Sequence, residues 1–472
     1  MPRIKTDICI IGAGSGGLSV AAGAVQMGAS VVLLEEHKMG GDCLNFGCVP
    51  SKALIAAGKH AHAMTTGREF GVKPVRPEVD YAAAKAHVAD VIETIAPVDS
   101  QERFEGLGVT VIRERGRFIS PREVQAGETI ISARRFVIAT GSSPFVPPIP
   151  GLEKVPYETN ETIFDLRERP EHLLIVGGGP IGMELAQAHR RLGSDVTVIE
   201  GMKALGKDDP ECAEIVLERL SNEGIAIEEG AMAQEISGKI GAIEVRAKDG
   251  RVFRGSHLLM AVGRKANIDD LGLDAAMIEH DRTIKVDPGQ RTTNRKVYAI
   301  GDVAGGLQFT HVAGYQAGVI IRSMLFGLPA KTRTDHIPWV TYTDPELAQV
   351  GLTEAEALEE YGEEVLEVVR IPFAENDRAI AERKTEGFIK VMIVRGRPVG
   401  ASIVGAMAGE LIGVWALAIA NRMKMSAIAG MVAPYPTLGE INKRAAGAYF
   451  SPRLFDSSGV KRVVRLVQRF LP

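Results

Sequence analysis

Two cysteines, Cys43 and Cys48, lie five residues apart in the segment Gly40-Gly-Asp-Cys-Leu-Asn-Phe-Gly-Cys-Val-Pro-Ser-Lys52. Residues four or five apart on a helix can share a face, so a slightly distorted turn would bring the two sulfurs within disulfide distance. In a chain with only four cysteines, such a pair indicates redox chemistry and not a framework of structural disulfides. A zinc site is the weaker interpretation, because a single C-x4-C pair has no partner ligands at zinc spacing.

Two glycine-rich turns share one plan: a strand, a G-x-G-x-x-G turn, a helix, and a second strand that ends at a glutamate. In both copies the glutamate follows the first glycine by 23 residues, from 12 to 35 and from 177 to 200. The turn residues are Gly12, Gly14, Gly17 and Glu35 in the first copy, and Gly177, Gly179, Gly182 and Glu200 in the second.

Each residue of this plan has a physical reason. The first glycine permits the tight turn, the second lets the backbone approach a pyrophosphate, and the third lets the helix and the strand pack closely. The helix N-terminus offers N–H groups and a positive dipole end to the phosphates, and the carboxylate accepts hydrogen bonds from a ribose diol. Two complete units therefore predict two dinucleotide sites.

The second glutamate also bears on the choice of nicotinamide cofactor. A carboxylate at Glu200 repels a 2′-phosphate, and no arginine follows among Gly201, Met202 and Lys203. We therefore expect NADH to be the preferred donor. NADPH stays open, because Lys203 could help to bind a phosphate.

Composition narrows the classes of function. The 472 residues carry a net charge of −4, which gives no reason to expect nucleic-acid binding. The N-terminus lacks a signal-peptide pattern, and the apolar stretch Leu411–Ala420 is too short to span a bilayer. Cys9 in a predicted strand and Cys212 in a predicted helix are expected to be inert thiols. These features favour a cytoplasmic protein.

Taken in order along the chain, these motifs resemble those of the flavoprotein pyridine nucleotide-disulfide oxidoreductases, a family that includes dihydrolipoamide dehydrogenase, mercuric reductase and glutathione reductase. The resemblance covers residues 5 to 450. It implies an α/β fold with two Rossmann-like dinucleotide-binding domains, for FAD and for NAD, and a C-terminal α+β dimerisation domain, and therefore a homodimer. The expected segments are residues 1–150 and 276–344 for FAD, 151–275 for NAD, 345–450 for dimerisation, and 451–472 as a basic amphipathic tail.

The resemblance also assigns roles to further residues. Lys52 matches a lysine beside the reactive edge of the flavin, and Glu184 matches its carboxylate partner. Asp302 matches the residue that binds the ribityl chain of FAD. Besides the two turns, the implied cofactor-binding residues are Gly41, Lys52, Gly116, Thr140, Gly141, Gly263, Gly301 and Asp302.

The implied mechanism moves two electrons from NADH through FAD into the disulfide. Cys48 then remains as a thiolate in contact with the flavin, while Cys43, expected to be the more exposed sulfur, attacks the substrate.

Four features depart from the family pattern. Tyr435 occupies the position of a histidine base, whereas the glutamate that would orient this base is retained as Glu440; in the family the partner subunit supplies both. Tyrosine has an ordinary pKa near ~10 and is a poor proton acceptor at neutral pH. Asp42, where most relatives have threonine, adds a negative charge beside Cys43 and is expected to raise the pKa of that thiol. No cysteine follows Cys212, so the metal-relaying C-terminal pair of mercuric reductases is missing.

The fourth departure from the family pattern lies in the tail, where apolar and basic residues alternate at helical spacing. Its apolar set is Val460, Val463, Val464, Val467 and Phe470, and its basic set is Lys461, Arg462, Arg465 and Arg469. The pattern of the tail predicts either a basic helix on an anionic membrane surface, or a helix that docks on the protein itself or is simply solvated.

The electron acceptor stays open between a small-molecule disulfide, a quinone and a metal ion. An alternative to an enzyme with any of these acceptors is a redox-sensing partner that binds nucleotides but turns over slowly, with the tail as its docking element.

Overall fold

The computed structural model describes residues 1–471. The chain divides into two compact units, one formed by Met1–Met202 with Gly224–Arg333 and the other by Lys203–Glu223 with Thr334–Pro472. The predicted segments of the FAD-binding, NAD-binding and dimerisation domains are a finer division, and their boundaries stay predictions.

The strands are β1 (Arg3–Ile11), β2 (Val31–Leu34), β3 (Thr110–Ile112), β4 (Gly116–Ser120), β5 (Glu123–Ala126), β6 (Thr129–Ile138), β7 (Ser142–Pro144), β8 (His172–Val176), β9 (Asp195–Ile199), β10 (Ala226–Glu228), β11 (Ala233–Lys239), β12 (Ala242–Ala247), β13 (Val252–Gly255), β14 (His257–Met260), β15 (Arg264–Ala266), β16 (Val297–Ala299), β17 (Pro338–Thr341), β18 (Glu346–Gly351), β19 (Leu366–Pro372), β20 (Phe388–Val394) and β21 (Arg397–Gly405).

The helices are α1 (Ser15–Gln26), α2 (Gly41–Asn45), α3 (Cys48–Ala63), α4 (Tyr81–Ile95), α5 (Gln101–Gly106), α6 (Pro180–Arg191), α7 (Pro210–Asn222), α8 (Thr310–Phe326), α9 (Glu354–Tyr361), α10 (Asp377–Ala381), α11 (Ala408–Leu411), α12 (Gly413–Ala420), α13 (Met425–Ala429), α14 (Glu440–Ser451) and α15 (Ser458–Phe470).

The largest sheet of the first unit has the order β3-β2-β1-β6-β5-β4, and β16 also pairs with β6. The strands β3, β2, β1, β6 and β16 are parallel, and Ile11, Leu34, Ile138 and Ala299 are in register at their carboxyl ends. The residues that follow these strands therefore emerge at one edge of the sheet. That edge is where ligands bind in open parallel sheets.

A second parallel sheet, β10-β9-β8-β14, repeats this arrangement within the same unit. Val176 is in register with Ile199 and Met260, so three chain segments leave the sheet side by side. The strands β8, β9 and β14 are short, mostly apolar and almost fully buried, as expected for a parallel sheet covered by helices, whereas the edge strand β10 is partly exposed. The fold class predicted from the sequence is confirmed, including both strand–turn–helix units.

The second unit is built on the antiparallel sheet β17-β18-β21-β20-β19. All seven residues of β20 are buried, and Trp415 is enclosed in the core against this sheet. The indole N–H of Trp415 donates to Asn442 Oδ1 at 2.7 Å, which satisfies a polar group that would otherwise be costly to bury. Strands and helices are mixed here, as expected for the α+β domain.

A buried lysine at the centre of β20 holds three carboxylates together. The ammonium of Lys390 lies 3.1 Å from Asp209, 2.9 Å from Glu211 and 2.8 Å from Glu354, and its side chain is only 3% exposed. Asp209 is itself 1% exposed, so its charge has little solvent to stabilise it. This cluster ties α7 and α9 to the sheet.

We expect Lys390→Met to lower the free energy of unfolding of this unit by about 3–5 kcal/mol, because it leaves a buried carboxylate without its cation. Both tryptophans of the chain, Trp339 and Trp415, belong to this unit, so urea denaturation followed by tryptophan fluorescence reports on it directly. Lys384→Met is the matched control, because Lys384 is 55% exposed and its pair with Glu382 is 3.7 Å long. Equal midpoints for the two variants would contradict the expectation.

The structure also bears on the expectations for the other two cysteines, for the tail and for membrane spans. Cys9 in β1 and Cys212 in α7 are both buried, and burial raises the pKa of each thiol, as expected for inert cysteines. The tail forms α15, and Pro472 lies outside the described residues. Within residues 1–471, no helix combines the length and the apolar character needed to cross a membrane.

Candidate active site

The first glycine-rich turn has the geometry of a phosphate cradle. A Cβ on Gly12 would lie 2.4 Å from the carbonyl oxygen of Ala139, and a Cβ on Gly17 would lie 1.9 Å from that of Gly12. At Gly14, by contrast, the closest atom to a Cβ would be 4.0 Å away, so this position opens to space. The outer glycines are thus required by packing, and the middle one leaves room for a ligand.

The second turn repeats the same pattern. A Cβ would lie 2.3 Å from the Ala261 carbonyl oxygen at Gly177 and 2.1 Å from the Gly177 carbonyl oxygen at Gly182, while Gly179 has nothing within 4 Å. Gly14 and Gly179 are the N-cap residues of α1 and α6, and as glycines they provide no side-chain cap. The N–H groups of the first turn of each helix are therefore available to phosphate oxygens, apart from Pro180, which has no N–H.

Both glutamates are held by the same pair of backbone hydrogen bonds. Glu35 accepts from the N–H of Ala13 at 2.7 Å and of His37 at 2.8 Å. Glu200 accepts from the N–H of Gly178 at 2.7 Å and of Met202 at 2.8 Å. This repetition fixes each carboxylate beside its turn, where a ribose diol of a bound dinucleotide would donate to it.

Other predicted cofactor residues follow the carboxyl ends of the parallel strands. Thr140 donates its hydroxyl to the carbonyl of Asn267 at 2.7 Å, Gly141 adopts a φ of +67°, and Gly301 donates its N–H to Gln316 at 2.7 Å. Asp302 accepts a hydrogen bond from the Ser142 hydroxyl, and burial raises the pKa of its carboxyl.

Three remaining glycines have different surroundings. Gly41 adopts a φ of +61° directly against Gly14, where a Cβ would lie 2.7 Å from the Gly14 Cα. Gly263 adopts a φ of +128° and faces open space. Gly116 is buried at the start of β4, and a Cβ there would meet Leu34 at 2.6 Å, which gives this glycine a packing role. Its predicted contact with a cofactor stays a prediction.

The cysteine pair lies where α2 meets α3, with Cys48 as the first residue of the longer helix. Both residues are thiols in the structure, and Cys48 Sγ lies 3.4 Å from Thr310 Oγ1. The hydrogen bond from the Cys43 thiol, aided by Thr310 and by the charge of Lys52, lowers the pKa of Cys48 to about 6. The same bond raises the pKa of Cys43 well above its ordinary value. Cys48 is therefore the thiolate of the pair at neutral pH.

The two cysteine residues differ in exposure, and the expectation that the Cys43 sulfur is the more exposed of the two stays a prediction. Cys48 is exposed and Cys43 is partly buried. The reason is local, since Cys43 lies within the short helix α2 whereas Cys48 opens a new helix after Gly47.

Lys52 and Glu184 form an ion pair, with 2.8 Å between Nζ and Oε2. Glu184 is buried on α6, and Lys52 lies one helical turn after Cys48 on α3. The two helices pack closely because Gly58 of α3 has no side chain to separate it from the α6 backbone at Ala188. The pairing expected from the resemblance is present in the structure.

Asp42 does not act as an isolated negative charge beside the cysteines. Its carboxylate lies 3.1 Å from the guanidinium of Arg264 and accepts a hydrogen bond from Asn160 at 3.2 Å. Arg264 also donates to the hydroxyl and the carbonyl of Ser142, both at 2.7 Å. Asp42 still raises the pKa of both thiols, as expected, but its main contacts bind α2 to the strand ends.

In the second unit, Tyr435 and Glu440 have unequal environments. Tyr435 is 69% exposed, and its hydroxyl donates to Asp377 at 3.0 Å. That hydrogen bond raises the pKa of Tyr435 above its ordinary value. Oxygen Oε2 of Glu440 is buried and has no hydrogen-bond partner among the described residues. This oxygen of Glu440 can therefore accept a hydrogen bond, but the Tyr435 hydroxyl donates to Asp377 instead.

Sequence reasoning missed Arg264, Thr310, Asn160 and Ser142. Thr310 and Cys48 are 262 positions apart, and Arg264 and Asp42 are brought together only by the fold. The one available signal was position, because Ser142 and Arg264 directly follow glycines at the strand ends.

Comparison with known proteins identifies relatives along nearly the whole chain. A model of the pyridine nucleotide-disulphide oxidoreductases matches residues 6–317, and a model of the dimerisation domain of these enzymes matches residues 337–446. The mercuric reductase of Lysinibacillus sphaericus is 36% identical over 449 residues, or 93% of this chain and 82% of that protein. The dihydrolipoyl dehydrogenase of Bacillus subtilis (strain 168) is 34% identical over 458 residues, or 94% of this chain and 96% of that protein.

Solved structures agree with these relatives. The Cu(II) complex of the HOCl-induced flavoprotein disulfide reductase RclA from Escherichia coli has a TM-score of 0.83 at 27% identity, covering 93% of this chain and 99% of that one. LpdA from Mycobacterium tuberculosis has a TM-score of 0.86 at 26% identity, covering 95% and 100%.

Proposed function

The chain belongs to the pyridine nucleotide-disulphide oxidoreductase family, and from that premise we propose that it uses NADH to reduce a thiophilic metal cation bound by Cys43 and Cys48. As an enzyme of this family it uses FAD and a nicotinamide dinucleotide. Its dimerisation domain supports a homodimer.

The observation that carries the proposal is the hydrogen bond from Tyr435 to Asp377. A hydroxyl that donates to a carboxylate and has a raised pKa does not take a proton from a dithiol substrate at neutral pH. Exchange with lipoamide or glutathione depends on such a base, whereas reduction of a metal cation held by two sulfurs does not.

The thiol pair itself suits a soft cation. Thiolates are the preferred protein ligands of soft metal ions, and Cys48 is already ionised above pH 6. Mercuric reductase and a Cu(II) complex of RclA stand among the relatives.

FAD fits the first glycine turn, where Gly14 leaves open space beside the uncapped start of α1 and Glu35 is held for a ribose. We assign the second turn, with Glu200, to NADH. FAD, when bound, relays two electrons from the nicotinamide to the cysteine pair. Lys52, held by Glu184, supplies a positive charge beside the pair, and the Cys43 thiol stabilises the Cys48 thiolate by its hydrogen bond.

The overall reaction balances for either type of cation. NADH gives up a hydride, which is equivalent to two electrons and one proton. The products are NAD⁺, one proton, and either one Hg(0) from one Hg(II) or two Cu(I) from two Cu(II). At the sulfurs the cation takes two electrons from the Cys48 thiolate and the Cys43 thiol, which form a disulfide and release one proton. The next NADH reduces this disulfide back to one thiol and one thiolate.

The test uses the FAD-loaded full chain under anaerobic conditions with NADH or NADPH. We expect oxidation of one NADH per Hg(0) released or per two Cu(I) trapped by a chelator. We expect slower turnover with NADPH, because the carboxylate of Glu200 repels the 2′-phosphate. Fast turnover with lipoamide or a quinone, and none with either cation, would contradict the proposal. Slow turnover with every acceptor would favour the redox-sensing alternative.

A further inference from the structure

The C-terminal helix α15, Ser458–Phe470, has no burying partner within the chain as described. All of its residues are exposed, although Val463, Leu466 and Phe470 are 61%, 60% and 70% exposed apolar side chains. The hydroxyl of Ser457 caps the helix by accepting from the N–H of Val460. The helix also lies beyond residue 446, where the family's dimerisation domain ends.

The two faces of α15 are completely separated. At about 100° per residue, the apolar side chains fall within an arc of about 160°, and the charged ones occupy the opposite side. The apolar face consists of Val460, Val463, Val464, Leu466, Val467 and Phe470, and the charged face of Lys461, Arg462, Arg465 and Arg469. The sequence had already suggested this pattern, and the structure adds Leu466 and the exposure of the whole helix.

We propose that α15 binds the chain to the surface of an anionic phospholipid bilayer. The helix carries four cations and no acidic residue, whereas the whole chain has a net charge of −4. The helix is therefore a positively charged segment of an acidic protein. Apolar burial in the acyl boundary and attraction to lipid phosphates act together on such a helix. The proposal does not depend on which acceptor the enzyme reduces.

The dimensions of the helix determine how it binds. Its 13 residues are about 20 Å long, which is shorter than the ~30 Å hydrocarbon core, so the helix lies in the plane of the interface. An apolar arc of about 160° is also wider than the narrow seam by which two helices pair. Pairing of two copies through this face would leave the cations of both helices turned to solvent, without an anionic partner. A lipid surface instead matches both faces at once.

Binding through α15 is reversible and strengthened by the dimer. One short amphipathic helix gives moderate affinity, but a homodimer carries two, and the second binds at a high effective concentration. The enzyme would then divide between solution and membrane according to the content of anionic lipid and the ionic strength.

The experiment is co-sedimentation of the FAD-loaded full chain with phosphatidylcholine vesicles, with or without phosphatidylglycerol. We expect binding only where phosphatidylglycerol is present, and its loss at high salt. Arg462→Glu with Arg465→Glu, or Val464→Asp with Val467→Asp, should each lower the bound fraction by about tenfold or more. The matched controls are Lys73→Glu for charge and Met277→Asp for an exposed apolar residue, and both should bind as the unaltered protein does.

Three outcomes would overturn the proposal. One is absence of binding to phosphatidylglycerol vesicles by the unaltered chain. Another is equal binding to vesicles of either composition. The third is a fall in the mass of the protein in solution when α15 is altered, which would show that the helix joins copies of the chain. The helix variants keep the flavin and the NADH-reducible thiols, so failure here is separable from failure of the proposed reaction.

Discussion

Replacement of Cys48 by serine is expected to abolish NADH-driven reduction of Hg(II) and Cu(II). The loss should exceed about 100-fold, because even residues that only support a metal ligand cost about 10–100-fold when altered. The measurement is metal product formed per unit time by the FAD-loaded protein. Cys212→Ala is the matched control, because Cys212 is a buried thiol outside the pair, and it should retain turnover. Turnover that survives Cys48→Ser would show that electrons leave the protein elsewhere.

The pH dependence of the pair follows from the hydrogen bond between the two thiols. Because the pKa of Cys48 is lowered to about 6, the thiolate is present above that pH and is lost below it. Alkylation of Cys48 by iodoacetamide in the NADH-reduced protein should therefore fall as the pH drops through 6. In Cys43→Ala the donor is missing, so the midpoint should move to higher pH. Cys43→Ser keeps a donor and should move it less.

Much of the dinucleotide chemistry could be predicted from the sequence because its causes are local. A turn that excludes a Cβ at Gly12 and Gly17 and opens at Gly14 requires glycine at fixed spacing. Parallel strands then carry the following residues to one edge. The ion pair of Lys52 with Glu184 was accessible only through resemblance to a family, since 132 residues separate the two.

What the sequence could not supply were the contacts that depend on long-range packing. Arg264 neutralises Asp42 because two strand ends and α2 converge, and no periodicity in either segment indicates this. The assignment of residues 203–223 to the second unit also depends on a long-range contact, because Lys390 binds Asp209 although the two are 181 positions apart. The relative exposure of Cys43 and Cys48 depends on where one short helix ends, which motif spacing alone does not determine.

Replacement of Tyr435 by histidine is expected to raise the oxidation of dihydrolipoamide by NAD⁺ at neutral pH by about 10²–10⁴-fold. That is the usual contribution of a positioned base, and an imidazole has an ordinary pKa near ~6.5. The reason for expecting gain at this position lies in Glu440, whose buried Oε2 has no donor among the residues described. An imidazole N–H would satisfy that oxygen and be held in the correct tautomer, with the other nitrogen available for a thiol proton. The rate of NADH formation at saturating dihydrolipoamide measures the effect.

Two further variants distinguish the effect of adding a base from the effect of removing the tyrosine. Tyr435→Phe also breaks the hydrogen bond to Asp377 but brings no proton acceptor, so it should show no gain. Adding Glu440→Ala to Tyr435→His removes the group that orients the ring, and most of the gain should disappear with it. Equal rates for Tyr435→His and Tyr435→Phe in folded, FAD-loaded protein would mean that proton transfer does not limit dihydrolipoamide oxidation here. The hydrogen bond of Tyr435 would then no longer support a metal cation over a disulfide as the acceptor.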